Sequence, residues 1–183
     1  MRIGACVVLL LFFSGLPAIA AGTQPAVKEY RRAGKMFSEA KYAEAIPLYE
    51  QVLIAPPEGV FPAELYTRIG DSHFRLGNFG KALGSYRNAL RDQKRSERAE
   101  TQYWIGFCCF LLGRDAEAVA ELLKIPELYP ESGMWISTAY YWAARASERL
   151  GWKNQAAEYY RKAGGTGKST QARHARGRAE GLK

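Results

Sequence analysis

Apolar and small side chains recur along this chain at helical spacing, and the pattern itself comes round four times. The segments EYRRAGKMFSEAKYAEAIPLYEQVLIAPP, LYTRIGDSHFRLGNFGKALGSYRNAL, QYWIGFCCFLLGRDAEAVAELLKI and YYWAARASERLGWKNQAAEYYRKA align on three positions. A small residue comes first (Ala33, Gly70, Gly106, Ala144). Twelve positions on stands an alanine (Ala45, Ala82, Ala118, Ala156), and four further on a bulky side chain (Tyr49, Tyr86, Leu122, Tyr160). The alanines are 37, 36 and 38 residues apart. Each unit predicts two antiparallel helices joined by a tight turn. The first small residue lies where they cross, the alanine faces it, and the bulky residue one turn later fills the space beside the crossing.

The turns read AKY, LGNF, LGRD and LGWK, and Gly77, Gly113 and Gly151 can take the left-handed conformation that ends a helix. Pro57, Pro62 and Pro130 mark the joins between units, and Pro47 falls in the first turns of a second helix, where a lost hydrogen bond costs least. A pair so built leaves one apolar face that only the next pair covers, so the fold class is all-α, a stacked solenoid. The units span about 27–57, 62–94, 98–130 and 136–163, within an array running from 21 to 163.

These residues resemble the tetratricopeptide repeat. The second unit carries the family's pattern most fully, with Tyr66, Ile69-Gly70, Phe79, Ala82, Tyr86 and Ala89; the third has Ile105-Gly106, Ala118 and Pro130. The first and fourth replace Gly by Ala at the crossing. The resemblance covers about residues 27–163 and implies a right-handed solenoid whose first helices line a concave face that binds a protein or peptide partner. The stretch QYWIGFCCFLLGRDAEAVAELLKIPELYP, followed by TAYYWAARASERLG, is similar to exported repeat proteins of the bacterial envelope. Among these are the Tol–Pal-associated cell-division coordinator and a lipoprotein of outer-membrane assembly. The chain departs from them in having neither an N-terminal coiled coil nor a lipid-bearing Cys.

The opening MRIGACVVLLLFFSGLPAIA changes the picture of where the array works. Arg2, an apolar run from Ala5 to Phe13, the breakers Ser14, Gly15 and Pro17, and Ala18-Ile19-Ala20 read as a signal peptide, residues 1–20, cleaved after Ala20. The run is shorter than the ~20 residues of a membrane-spanning helix. An exported, periplasmic protein is expected. In that setting Cys108 and Cys109 are adjacent, point about 100° apart on a helix, and read as small apolar residues in a packed helix.

The formal charge is +8, and it is unevenly placed. Residues 161–183 carry seven Lys/Arg against Glu180 alone. Here the chain forms a Gly-rich turn and a basic helix to about Glu180, capped by Ser169 or Thr170. Ala172, Ala175 and Ala179 would lie against the last unit, with Arg173, Arg176 and Arg178 outward, as the polar cap a solenoid needs. Nucleic acid is not an expected partner of an exported chain. A peripheral contact with anionic lipid or glycan is the alternative use of this tail. The stretch Gly164–Ser169 imitates a phosphate loop but fails it, because Lys162 stands where the motif needs Gly and no strand precedes it.

The outward stripe of the first helices gives the candidate partner-binding groove: Tyr30, Phe37, Phe74, Arg75, Tyr103, Phe107, Phe110, Tyr141, Arg145 and Arg149, with Gly34 beside Tyr30. Aromatics supply contact area at low entropic cost, and arginines pair with carboxylates or carbonyls. The same aromatics can equally serve as core. The paired Lys/Asn clamp of chaperone-binding relatives is not evident. With two His and three Cys, a multi-His metal enzyme or a zinc finger is excluded. His73 falls at a packing position, His174 on the basic tail, and Glu97, Glu100, Glu117 and Glu121 on solvated helix faces. The expectation is a non-catalytic scaffold without metal or cofactor.

Overall fold

The computed structural model describes residues 24–165 and 170–182. The expected signal peptide at 1–20 and residues 166–169 of the expected Gly-rich turn lie outside the described residues, whereas Gly164 and Gly165, expected in that turn, are helical. The described chain holds nine α-helices: α1 Gln24–Ser38, α2 Tyr42–Ile54, α3 Pro62–Arg75, α4 Phe79–Asp92, α5 Arg95–Leu111, α6 Asp115–Leu128, α7 Gly133–Arg149, α8 Lys153–Gly165 and α9 Thr170–Gly181. Each packs on its neighbour in sequence, giving four helical hairpins and a ninth helix laid on the last. This is the all-α solenoid the repeat pattern predicts.

The hairpin turns share one device. Gly77, Gly113 and Gly151 have φ of 74°, 73° and 75°. In each, the residue after the glycine donates its N–H to the carbonyl five back (Asn78 to His73, Arg114 to Cys109, Trp152 to Ser147, all at 2.9 Å). The glycine N–H closes onto the carbonyl three back at 3.0–3.1 Å. The first turn makes the same two bonds, Lys41 to Met36 and Ala40 to Phe37, but with Ala40 at φ 58°. There the left-handed conformation is held by a residue with a Cβ, at a cost of roughly 1–2 kcal/mol.

At the crossings, Ala33, Ala45, Ala82, Ala118, Ala144 and Ala156 are all fully buried. The bulky residue does not sit beside the crossing, as expected from sequence, but on it. A Cβ at Gly70 would meet the Tyr86 ring at 2.8 Å, and one at Gly106 would meet Leu122 Cγ at 2.6 Å. The glycine leaves room for the partner helix's large side chain as much as for its backbone. Between hairpins the core is continuous. Ala82, Leu83 and Tyr86 of α4 pack with Ile105, Cys108, Cys109 and Phe110 of α5, and Leu122 and Ile125 of α6 with Ala139 and Ala143 of α7. The two thiols are free and fully buried. Burial pushes their ionisation up from 9.0, to about 12 for Cys108 and about 11 for Cys109.

The inner side of the curve follows from which helices meet across a hairpin. α5 touches α7 and α7 touches α9, while the second helices make no comparable contact with one another. First helices therefore line the concave face. By these contacts α9 occupies the place of a fifth first helix, with Ala172, Ala175 and Ala179 buried, the last two against Tyr141, Ala144, Tyr160 and Ala163.

Candidate functional groove

The groove rows come from α1, α3, α5, α7 and α9. On α1, the Tyr30 hydroxyl donates to Glu64 Oε1 of α3 at 2.5 Å, and this bond with partial burial raises the phenol to about 12. Phe37 packs edge-on to Tyr42, centroids 5.3 Å apart, and lies under the Arg68 guanidinium at 5.3 Å. On α3, Asp71 accepts from the Tyr86 hydroxyl at 2.8 Å, and burial raises its carboxyl above the usual range. Half-buried Phe74 stands between Phe79 and the α5 rings Trp104 and Phe107, at 5.4, 5.0 and 6.0 Å. Arg75 is exposed.

On α5, Tyr103, Phe107 and Phe110 form a stacked column, with centroids 5.7 and 6.3 Å apart and interplanar angles of 11° and 8°. Trp142 of α7 closes on it, 4.6 Å from Phe107 and 5.1 Å from Phe110. Tyr103 and Phe110 each keep only 7% of their surface and Tyr141 keeps 9%. These three serve chiefly as core between hairpins. Burial also raises the Tyr103 phenol to about 12. The rings that still offer area are Phe37, Phe74, Phe107 and Tyr30, all half-buried.

The last rows are cationic. Arg149 Nε lies 3.1 Å from Asp115 Oδ2, its Nη1 donates to Phe110 O at 3.2 Å, and its Cζ stands 4.5 Å over the Phe110 ring. Arg145 holds its Cζ 5.8 Å over Trp142. Glu148 accepts from the Tyr160 hydroxyl and from Arg178 of α9. The Tyr141 hydroxyl lies 3.1 Å from His174 Nδ1, and Thr138 donates to Gln171 at 3.4 Å. Arg145, Glu148, Arg149, His174 and Arg178 surround a cavity of about 410 Å³.

One of these residues corrects the sequence reading of the tail. Arg178, expected outward, is exposed but reaches across to Glu148 of α7, while His174, expected on the basic tail, lies against the Tyr141 hydroxyl. Arg176, also expected outward, donates from its Nη1 to Gly164 O at 2.6 Å and ties α9 to α8. The pairs Thr138–Gln171, Tyr141–His174 and Arg145–Arg178 stand at one constant offset of 33 residues. That offset was the available signal, close to the repeat period itself. Trp142, Trp104, Glu148 and Asp115, which shape the groove, also fall outside the stripe read from the sequence.

Among the described residues there is no set of three or more His, Cys, Asp or Glu placed to hold a metal ion. His73 is buried, its Nδ1 has no hydrogen-bond partner among the described residues, and burial lowers its proton affinity. Among the described residues, no helix is long and apolar enough to cross a membrane.

Comparison with known proteins gives the following. Two profiles described as tetratricopeptide repeat match residues 67–133 and 137–163, together just over half of the chain. A tetratricopeptide repeat protein from Parabacteroides merdae has the same fold over 87% of this chain and 60% of its own, with a TM-score of 0.72 at 18% identity. The chain spans less than two thirds of that protein. The MamA protein superposes over 86% of this chain and 83% of its own, with a TM-score of 0.67 at 20% identity. In sequence, the human protein O-mannosyl-transferase TMTC2 is 32% identical over 101 residues, which is 55% of this chain and 12% of that protein.

Proposed function

We propose that this chain, which belongs to the tetratricopeptide-repeat family, is a non-catalytic adaptor of the bacterial cell envelope that holds a segment of a partner protein in its concave groove. Repeats of this family mediate protein–protein interaction. The observation that carries the reading is the composition of the inner face. Half-buried aromatics from α1, α3 and α5 run into a cluster of arginines on α7 and α9, a surface suited to an extended or helical segment with apolar anchors. The envelope setting rests on the expected leader at 1–20 and on the resemblance of residues 102–151 to exported repeat proteins. The likeness to a mannosyl-transferase covers 12% of that protein.

The rival use of the basic tail, docking on anionic lipid or glycan, is weakened by its engagements. Arg178 is paired with Glu148, Arg176 with the end of α8, and Arg173 with Thr170 at 3.0 Å. The test is capture of partners from an envelope fraction by the purified protein, with Phe74→Ala and Arg145→Glu as groove variants of unchanged helicity. The reading expects a defined partner to be lost from both. Full retention by both variants would refute it.

A further inference from the structure

We infer that the C-terminal end of the groove is a pocket for a carboxylate of an acidic peptide segment, and that α9 is a working wall of it rather than only a cover for the last repeat. The inference rests on the groove reading and names the chemistry that end would recognise. Three arginines and a histidine line the cavity against a single carboxylate, Glu148. That carboxylate is already taken up by Arg178 and the Tyr160 hydroxyl, so the pocket holds one such group within the chain itself. Arg149 is fixed by Asp115, the Phe110 carbonyl and the Phe110 ring.

Arg145 differs from both. Among the described residues it makes no hydrogen bond or ion pair, and its guanidinium rests over Trp142. A carboxylate arriving there meets a planar fork of donors without displacing an existing partner. The neighbouring cations are held in place, so their field is in position before binding. Two of the five lining residues, His174 and Arg178, come from α9, and the Tyr141–His174 contact sets that helix against α7. An acidic peptide is the occupant favoured over a lipid surface because two lining arginines lie over inner-face rings, Arg145 over Trp142 and Arg149 over Phe110, so a segment held along that face reaches the basic cavity.

The probes are acetylated hexaglutamate as its C-terminal amide, the same peptide with a free C-terminus, hexaglutamine, inorganic phosphate and phosphatidylglycerol vesicles. The readouts are titration calorimetry and the side-chain Nε–H resonance of Arg145. Hexaglutamate should move that resonance and bind more tightly than hexaglutamine. Arg145→Gln should weaken binding on the order of ten-fold, as expected for losing a hydrogen bond to a charged group, and Arg178→Gln should weaken it as well, because Glu148 loses its cation and repels the peptide. Arg91→Gln, a cation removed from α4, should leave it unchanged, with helicity by circular dichroism intact in all three. A gain on freeing the C-terminus assigns the site to a main-chain carboxylate, and equal binding assigns it to side-chain carboxylates.

Equal binding by wild type and Arg145→Gln, or equal binding of hexaglutamate and hexaglutamine, would overturn the pocket. So would phosphate or vesicles binding more tightly than either acidic peptide. Failure here is separable from failure of the groove reading: envelope capture lost in Phe74→Ala but retained in Arg145→Gln removes the pocket alone, and capture retained in every groove variant removes the groove.

Discussion

Replacing Gly106 by alanine puts one methyl group where α5 and α6 cross. An added Cβ would lie 2.6 Å from Leu122 Cγ, 2.8 Å from its Cδ2 and 3.2 Å from its backbone nitrogen. The side-chain overlaps require Leu122 to leave its position in a fully buried site, and the backbone contact requires the helices themselves to part. Overpacking of this kind costs about 1–3 kcal/mol. Against it stands the gain of alanine over glycine inside a helix, about 0.8–1 kcal/mol. The net is a loss of up to about 2 kcal/mol. Gly84 in α4 supplies the internal control, being helical, exposed and with nothing within 4 Å of an added Cβ. There the same substitution keeps only the propensity gain. With a urea slope of about 2 kcal/mol per molar, the two variants should separate by about 1 M in unfolding midpoint, on opposite sides of wild type, by far-UV circular dichroism. Midpoints shifted in the same direction by the same amount would show that the crossing is not tight and that the packing account is wrong.

Other consequences follow from single features. Ala40→Gly relieves the left-handed alanine of the first turn and should stabilise the array by about 0.5–1 kcal/mol, after the larger entropy of unfolded glycine is deducted; a loss of stability in thermal unfolding would contradict the strain. Both buried thiols ionise in the folded chain well above 9.0, so as pH rises past 9.0 the unfolded chain loses protons that the folded one keeps. Stability should therefore fall above 9.0, by up to about 1.4 kcal/mol per pH unit for each thiol, and a Cys108→Ala, Cys109→Ala double variant should lose much of that slope in urea titrations on either side of 9.0. A Cβ at Gly164 would meet Arg176 Cγ at 2.6 Å and Ala172 O at 3.3 Å, so Gly164→Ala should lift α9 from α8. Hydrogen exchange should then rise in α9 while α1–α6 stay protected, and an unchanged α9 would contradict the close approach.

The fold was legible because the crossings demand small residues at fixed intervals, and no other constraint on a helix produces Ala45, Ala82, Ala118 and Ala156 at near-constant spacing. The turn glycines were legible for the same reason, except that Ala40 takes the left-handed role without the residue type that announces it. The groove was legible as a stripe but not as a surface. Tyr103, Phe110 and Tyr141 lie on the stripe, yet neighbouring hairpins come close enough to bury them. Whether an inner-face aromatic points at solvent or at the next hairpin depends on the tilt between hairpins, which a spacing does not encode. Trp142 stayed hidden because it reaches Phe107 and Phe110 from one position off the stripe. The role of α9 was obscured by its sequence, since alanines and arginines after a glycine-rich stretch read as an inert cap. Only its offset from α7 marks it as a fifth row.

Photo-cross-linking inside the envelope tests the central claim most directly. A benzoylphenylalanine placed at Arg75 or Arg145 faces the groove, whereas one at the exposed Ala120 of α6 faces outward from a second helix. The account predicts a discrete adduct with a partner protein from positions 75 and 145 and none from position 120. Adducts formed from position 120 alone would place the partner on the convex side and contradict it.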